Sequence, residues 1–164
     1  MKIYFDTEFT SLDAIDGCKL ISAGFVAEDG REFYFEMKKH YGIDDCSFFV
    51  QENVLPHLDH DKYGMVEPEA RLKLKYWLRT FNEPVELCTD APGYDFPLIY
   101  DLCSKNDGWA PNLRKSPVNV NSHFVDQGIE KYFQYQPMAI RHHALWDARA
   151  LAAAVKAYET GIRY

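Results

Sequence analysis

An Asp-Gly pair between two strand-like segments constrains the fold more than any other short feature of the sequence. Residues 20–27 are apolar and run into Glu28-Asp29-Gly30-Arg31, where Asp-Gly is a strong signal for a tight hairpin turn. Residues 31–37 then alternate between apolar and polar side chains, which is typical of a strand with one buried face. Residues 2–8 form a third strand-like segment. The first third of the chain therefore predicts an antiparallel meander.

The rest of the chain alternates between helical and strand-like patterns. We expect residues 38–64, which are irregular and polar, to form a loop with one short helix. The remaining patterns predict helices at 68–81, 94–104, 122–133 and 144–159, and strands at 85–89 and 117–121. This order indicates an α/β fold with helices packed on a mixed central β-sheet that begins with the meander. The 164 residues fit one domain spanning 1–164.

Composition and charge exclude several classes of protein. Hydrophobic residues make up 47% of the chain, which is too many for a disordered protein. Lys and Arg number 18 against 25 Asp and Glu, so the net charge of −7 disfavours non-specific binding to long nucleic acid. No apolar run approaches the length of a membrane span, and Asp6 comes too early for a secretory signal. We therefore expect no membrane partner.

The cysteines favour a reducing compartment. They lie far apart and form no CxxC pair, at Cys18, Cys46, Cys88 and Cys103. In a chain without a targeting signal, this spacing favours free thiols over disulfides. We therefore expect a cytoplasmic location.

Four acids fall at positions that should face the protein interior. Alternate residues share a face of a strand, so Asp6 and Glu8 point to the same side of a strand that should be central. Asp95 falls in the apolar stripe of the helix at 94–104, and Asp147 lies at the edge of the stripe of the last helix. Each of the two helical acids, taken alone, could also be a helix cap or an edge residue. Together, three separate elements send carboxylates inward.

Buried like charges need either protons or partners. At an effective dielectric of ~20, two carboxylates about 4 Å apart repel each other by roughly 4 kcal/mol. The sequence offers no matching set of inward-facing Lys or Arg. Two divalent cations would offset four carboxylates, and oxygen-only ligands favour Mg²⁺ or Mn²⁺ over zinc. Two such ions about 3.5–4 Å apart are typical of phosphoryl-transfer sites.

A pair of histidines precedes Asp147. His142 is five residues earlier, about 140° away around a helix, so it must lie on the loop entering the helix to act beside Asp147. There its imidazole could accept a proton from water, and an ordinary pKa of ~6.5 suits a general base. His143 could instead ligate a metal or pack against the sheet. We favour His142 as the base.

Three motifs resemble those of the DEDDh (DnaQ-like) 3′–5′ exonucleases. They are Asp6-Thr7-Glu8-Phe9-Thr10, Tyr94-Asp95-Phe96-Pro97-Leu98 and His142-x-Ala144-Leu145-x-Asp147-Ala148. The motifs extend over most of the chain, whose short length is most similar to the small stand-alone exoribonucleases of this superfamily. The resemblance implies an RNase H-like fold. Asp90 remains an alternative third acid, because it lies at the carboxyl end of a predicted strand.

The resemblance also implies a role for each site residue. Two Mg²⁺ ions, for which Mn²⁺ can substitute, would be held by Asp6, Glu8, Asp95 and Asp147. His142 would deprotonate the attacking water. The residues that follow the first motif would contact the terminal bases, here Phe9, Thr10 and Leu12. Tyr94 could hydrogen-bond a phosphate. Ordinary packing remains the alternative for Phe9, Leu12 and Tyr94.

The sequence therefore predicts a 3′–5′ exoribonuclease that acts on single-stranded RNA or on the 3′ ends of short oligonucleotides. It would release 5′-mononucleotides, so a nucleoside monophosphate is the expected product. The alternatives are a 3′–5′ DNA exonuclease, an RNase H-type endonuclease with the same carboxylates, and a non-catalytic nucleic-acid-binding domain. A homodimer follows only by analogy with the family.

The segment His57-Leu58-Asp59-His60-Asp61 has the residue types of a metal site. It lacks the spaced second half that a structural zinc site needs. We therefore expect a solvated loop there rather than a second metal centre.

Overall fold

The strands form one mixed sheet. The computed structural model describes residues 1–12, 17–106 and 108–162. These residues form a six-stranded sheet in the order β4-β3-β2-β1-β5-β6. The strands are β1 (Lys2–Phe9), β2 (Leu20–Ala27), β3 (Glu32–Met37), β4 (Gly64–Met65), β5 (Glu86–Thr89) and β6 (Val118–Asn119). Strands β1, β2 and β3 pair antiparallel, whereas β4, β5 and β6 each pair parallel to a neighbour. The predicted meander and mixed sheet are confirmed.

The helices follow the predicted pattern, with more structure than expected between β3 and β5. They are α1 (Phe48–Asn53), α2 (His60–Tyr63), α3 (Glu67–Arg79), α4 (Asp95–Ser104), α5 (His123–Tyr135) and α6 (Ala144–Glu159). Two helices and strand β4 occupy the segment for which one short helix was expected. Each of these is six residues long or shorter, so none produces a clear periodic pattern in the sequence.

Alternation along β1 divides the apolar interior into two layers. Ile3 and Phe5 are fully buried between the sheet and helices α3 and α4. Tyr4 points to the opposite face and packs with Leu151 of α6 and Val125 of α5. Burial of each large apolar side chain is worth about 1.5–3 kcal/mol. Because both faces of β1 are covered, Asp6 and Glu8 lie on a face that a helix packs against.

Helix α6 rests directly on the backbone of β2. Gly24 of β2 pairs with Asp6 of β1, so both lie on the same face of the sheet. A Cβ atom added to Gly24 would lie 2.4 Å from Cα of Leu145, in the first turn of α6. Only glycine allows this close approach. The contact brings the first turn of α6 next to the acids of β1.

Two further features concern the cysteines and the possibility of a membrane-spanning helix. All four cysteines are free thiols, as the sequence predicted. Within the residues that the structure describes, no helix combines the length and the apolar composition needed to cross a membrane.

Candidate active site

Three carboxylates meet at the ends of β1 and α6. Asp6, Glu8 and Asp147 each offer one oxygen atom, and these atoms lie within 4.8 Å of one another. Asp6 and Glu8 are alternate residues of β1 and share the face covered by α6. Asp147 lies in the first turn of α6. The close approach at Gly24 therefore brings together acids that are about 140 residues apart in the sequence.

A hydrogen bond from the backbone fixes the third carboxylate. The N–H of His143, the residue that caps α6, donates to Oδ2 of Asp147 over 3.0 Å. The bond satisfies one of the N–H groups that a helix start leaves without a partner. It leaves the other oxygen of Asp147 available to the carboxylate cluster.

Burial, together with neighbouring carboxylates, raises the pKa values of these acids. Burial raises the pKa of Asp6 well above its ordinary value, and the carboxylates of Asp95 and Glu8 raise it further. Burial together with Asp147 and Asp95 raises the pKa of Glu8 to about 8. The pKa of Asp147 rises to about 6 through burial, although the His143 N–H opposes the rise. The site therefore favours an added positive charge.

Asp95 lies beside this cluster but is held differently. Its side chain is 2% exposed, and it accepts hydrogen bonds from the hydroxyls of Thr7 (2.7 Å) and Thr89 (2.5 Å). Burial raises the pKa of Asp95 to about 6, while these hydroxyls lower it. Of the four predicted acids, the structure thus brings the oxygens of Asp6, Glu8 and Asp147 within 4.8 Å of one another, and Asp95 lies next to them. Of the two candidates for the third acid, Asp95 lines the cavity described below, whereas Asp90 does not.

The carboxylates open into a cavity of about 600 Å³. Its floor is formed by the acids of β1, α4 and α6. Its walls come from the end of β1, from helix α1 and from the start of α4, with the lining side chains of Phe9, Leu12, Phe49, Val50, Val54 and Tyr94. Among the described residues, no Lys or Arg lines this cavity. The aromatic and aliphatic walls offer surface on which a base can stack, whereas the acidic floor repels an anion unless cations lie between them.

His142 lies at the rim of the cavity, on the loop before α6. The backbone of His142 has φ +59°, in the left-handed region that few non-glycine residues occupy. Its ring packs edge-to-face against Phe49, with 4.8 Å between centroids. Burial lowers the pKa of His142, and the neighbouring Arg141 and His57 lower it further. The imidazole is therefore neutral at pH 7 and able to accept a proton.

His143 points away from the cavity, toward the sheet. Its ring stacks on Tyr34 of β3, with 4.7 Å between centroids and 21° between ring planes. Burial lowers its pKa as well. Besides the role of base, two roles were considered for His143: metal ligation and packing against the sheet. The observed geometry corresponds to packing against the sheet.

Three of the four residues predicted to bind substrate line the cavity. Phe9 and Tyr94 stack in parallel, with 6.2 Å between centroids and 6° between ring planes. Leu12 is 65% exposed at the mouth of the cavity. Thr10 is buried, and its hydroxyl oxygen accepts a hydrogen bond from the N–H of Lys19. The carbonyl of Thr10 accepts from the N–H of Ser47, which caps α1, so Thr10 holds one wall of the cavity in place.

Sequence reasoning did not identify the wall formed by α1 as part of the site. Phe49 contacts His142, and Val50 and Val54 lie behind it along the cavity. The available signal was the apolar run Phe48-Phe49-Val50 in a polar segment, where two aromatic residues remain exposed. The sequence does not show which part of the sheet this run covers, because that depends on the conformation of residues 38–64.

The donor set of the cluster fits a hard divalent cation. Three carboxylate oxygens converge within 4.8 Å, and burial raises the pKa values of all three acids, although Arg141 opposes the rise at Asp147. Mg²⁺, Mn²⁺ and Ca²⁺ prefer such all-oxygen sites. The His57–Asp61 segment forms no comparable group in the described part of the chain. Instead, its Asp59 and His60 lie at the start of α2.

Comparisons with solved structures show the RNase H-like class of fold. One match is cell-death related nuclease 4 (CRN-4), with a TM-score of 0.60 and 14% sequence identity. The match covers 98% of this chain and 64% of that nuclease, so the chain spans less than two thirds of its length. At this identity the likeness concerns the fold alone.

Sequence comparisons give relatives of similar length. The chain is 29% identical, over 154 residues, to proteins from two strains of Mycobacterium tuberculosis that are named 3′–5′ exoribonuclease Rv2179c and 3′–5′ exoribonuclease MT2234.1. Each alignment covers 91% of this chain and 88% of the relative. No protein-family model matches the chain. The likeness to proteins named as nucleases therefore extends over nearly the whole chain.

Proposed function

We propose that this chain is a metal-dependent 3′–5′ exoribonuclease of the DEDDh type. The observation that carries the proposal is the convergence of Asp6, Glu8 and Asp147 within 4.8 Å at the floor of a cavity with His142 at its rim. Relatives named 3′–5′ exoribonucleases, aligned over 91% of the chain, support the same activity.

The carboxylates would hold the ions. Asp6, Glu8 and Asp147 supply converging oxygens, and Asp95 lies beside them with its hydroxyl partners. A pair of Mg²⁺ ions, or Mn²⁺ in their place, would supply charge that stabilises the attacking and leaving oxygens of a phosphodiester. The carboxylates would thereby lose the mutual repulsion that raises their pKa values.

His142 would act as the general base. Its neutral imidazole takes a proton from water at a ring nitrogen as the water oxygen attacks the last phosphorus of the chain. The bond from phosphorus to the O3′ of the preceding nucleotide breaks, and that oxygen takes a proton from solvent. His142 returns the proton it accepted to solvent. The products are a 5′-mononucleotide and an RNA chain one nucleotide shorter.

Aromatic and aliphatic walls would hold the terminal nucleotides. Phe9 and Leu12 offer apolar surface to the bases, and the Tyr94 hydroxyl could donate to a phosphate. Base stacking on aromatic rings is tolerant of sequence, which suits a processing enzyme with varied substrates. Thr10 would act on substrate only through the position of α1.

Two further expectations concern the location and the assembly of the protein. The free thiols agree with a reducing compartment such as the cytoplasm. A homodimer remains an inference by analogy with the DEDDh exonucleases.

The proposal is tested by paired digestion of 5′-labelled RNA and DNA of one sequence, in Mg²⁺, in Mn²⁺ and in EDTA. We expect stepwise shortening of the RNA with release of nucleoside 5′-monophosphates, dependence on divalent ions, and slower digestion of DNA. The Asp6→Ala variant is the matched control, and it should show no turnover.

The other candidate functions give different products. Internal cuts in the labelled strand would indicate an endonuclease, and equal or faster digestion of DNA would indicate a DNA exonuclease. A non-catalytic binding domain would release no nucleotide under any condition. A missing rise in Tm with added Mn²⁺ would contradict the metal site itself, since a ligand that binds only the native state raises its stability.

A further inference from the structure

Another acid, Glu36, lies on the same face of the sheet as the site, two strands away from Glu8. Ser22 of β2 pairs both with Glu8 of β1 and with Glu36 of β3, so all three side chains share that face. Glu36 is fully buried. Tyr34, two residues earlier on β3, lies on the same face and is 8% exposed. Neither residue lines the cavity.

Glu36 anchors the ring of Tyr34. Its Oε1 accepts a hydrogen bond from the Tyr34 hydroxyl over 3.0 Å and another from the N–H of Asp59 over 2.9 Å. The edge of Tyr63 packs on the same tyrosine ring, with 5.0 Å between centroids. A tyrosine held at its hydroxyl and along its ring has little freedom to move, so it can act as a rigid platform.

The His143 ring rests on this platform. The two rings stack at 4.7 Å with 21° between their planes. The Nδ1 atom of His143 is buried and has no hydrogen-bond partner among the described residues. Stacking on Tyr34 is therefore a contact that can set the orientation of the His143 ring.

His143 is linked to both His142 and Asp147, the two residues of the proposed reaction that lie nearest to it in the sequence. It directly follows His142, whose backbone is in the left-handed region, and its own N–H donates to the Asp147 carboxylate. A non-glycine residue in that region is strained and persists only where its surroundings hold it. The stack on Tyr34 is one such restraint on the turn.

We propose that Tyr34, anchored by Glu36, is a positioning residue that holds the His142–His143 turn in its active geometry by stacking under His143. This inference rests on the proposed function, because the turn matters for turnover only if His142 and Asp147 act in catalysis. Tyr34 itself contacts no substrate. Its loss would let the turn relax and would displace the His142 imidazole relative to the carboxylates.

The test compares three variants with the wild-type protein. Tyr34→Leu removes the stacked ring, and Tyr34→Phe keeps the ring but loses the hydroxyl. Phe33→Leu is the matched control, because Phe33 is an aromatic residue of the same strand that faces the other side of the sheet and packs on Trp77. The kcat and KM are measured on a short oligoribonucleotide with Mg²⁺, and Tm is measured for each protein.

We expect Tyr34→Leu to lower kcat about 10- to 100-fold with little change in KM, since small displacements of a catalytic group cost rates of that order. Tyr34→Phe should recover part of this loss, because it restores the stack but not the hydrogen bond to Glu36. Phe33→Leu should lower Tm while leaving kcat near the wild-type value. Equal kcat in Tyr34→Leu and Phe33→Leu would overturn the proposal.

If the Tyr34→Leu protein does not fold, the stack is tested by substituting His143 instead. His143→Leu should then lower kcat, and His143→Phe should restore it. Retention of wild-type kcat by His143→Leu overturns the proposal as well.

An NMR measurement separates this inference from the proposed function. The ring protons of His143 sit in the ring current of Tyr34, so their resonances should shift in Tyr34→Leu and remain near their wild-type positions in Phe33→Leu. Unchanged resonances in Tyr34→Leu would overturn the positioning role, whether or not the protein cleaves RNA. Shifted resonances in a protein that cleaves no RNA would support the stack and refute the nuclease.

Discussion

At the scale of single residues, repulsion within the cluster of Asp6, Glu8 and Asp147 destabilises the protein in the absence of a cation. Its oxygens lie within 4.8 Å, where carboxylates at an effective dielectric of ~20 repel each other by about 4 kcal/mol per pair. The intermediate exposure of the three side chains and their raised pKa values reduce this cost. The protein without a cation therefore loses some stability at this cluster.

The first prediction follows from this repulsion. Asp6→Asn should raise the stability of the metal-free protein by about 1 kcal/mol, which corresponds to about 2–4 °C in Tm for a chain of this size. The same variant should lose the rise in Tm that Mn²⁺ gives the wild type. Thermal melts in EDTA and in Mn²⁺ measure both effects.

Asp126→Asn is the matched control, since Asp126 is an exposed acid in the first turn of α5. It should keep the Mn²⁺ response of the wild type. A fall in the EDTA melting temperature of Asp6→Asn would show that the carboxylates stabilise the protein without metal, contrary to the repulsion described above.

The second prediction distinguishes the two histidines. His142→Ala should lower kcat about 10²- to 10⁴-fold, the range for loss of a general base, while the Mn²⁺-dependent rise in Tm persists. His143→Phe keeps a ring over Tyr34 but has no ring nitrogen, so it should retain most activity. Loss of activity in His143→Phe combined with normal turnover in His142→Ala would reverse the assignment of the base.

Local spacing was enough to find some of these residues but not others. Asp6 and Glu8 share a strand face, and Asp147 lies at the edge of a helical stripe, so both patterns are visible in the sequence. The importance of Glu36 depends on its cross-strand register with Ser22 and Glu8, which the sequence does not encode locally. The catalytic roles of these residues stay predictions.

At the scale of elements, the contact between α6 and β2 determines the geometry of the site. Gly24 lets the first turn of α6 approach the sheet, and Asp147 belongs to that turn. The atoms that crowd the position are backbone atoms of Ala144 and Leu145, which cannot rotate away. Any side chain at position 24 must therefore move the helix or the strand.

The third prediction concerns this contact. Gly24→Ala should destabilise the protein by about 3 kcal/mol or more, at the upper end for an overpacked core, because backbone must shift. It should also reduce turnover, since Asp147 moves with α6. Chemical unfolding and single-turnover assays measure the two losses.

Gly42→Ala serves as the comparison. A Cβ at that position meets only one side-chain oxygen at 3.8 Å, an ordinary contact. It should leave both stability and turnover near the wild-type values. Wild-type stability in Gly24→Ala would show that α6 does not rest on β2 as described.

Most elements were predictable because each has a clear period. The bounds of β2 and α6 agree with those read from the sequence, since both are long apolar segments with distinct ends. Strand β4 was not predicted, because Gly64 and Met65 join the sheet only through parallel pairing with β3. Such short elements are determined by tertiary contacts rather than by local pattern.

At the scale of the whole molecule, the chain carries a net charge of −7. Among the described residues, no cation lines the cavity. A cavity of this kind makes few charge-neutralising contacts with a nucleic-acid backbone. Under the proposed function, the affinity for RNA would therefore come from bound ions and base stacking.

The fourth prediction is a weak dependence on salt. With Mg²⁺ held fixed, the logarithm of kcat/KM should fall against the logarithm of KCl concentration with a slope no steeper than about −2, since each neutralised phosphate of a single strand contributes about −0.7. Short and long oligoribonucleotides should give the same slope. A steep slope that grows with RNA length would instead indicate a basic binding surface outside the cavity.

The cluster draws its acids from the first strand and the last helix of the described chain, with every other element between them. During synthesis on the ribosome, β1 emerges early, yet it cannot meet Asp147 until residues 144–159 have left the exit tunnel. A polypeptide whose last helix is still inside the tunnel therefore lacks the complete carboxylate cluster. Under the proposed function, such a partly synthesised chain would be unable to cleave RNA.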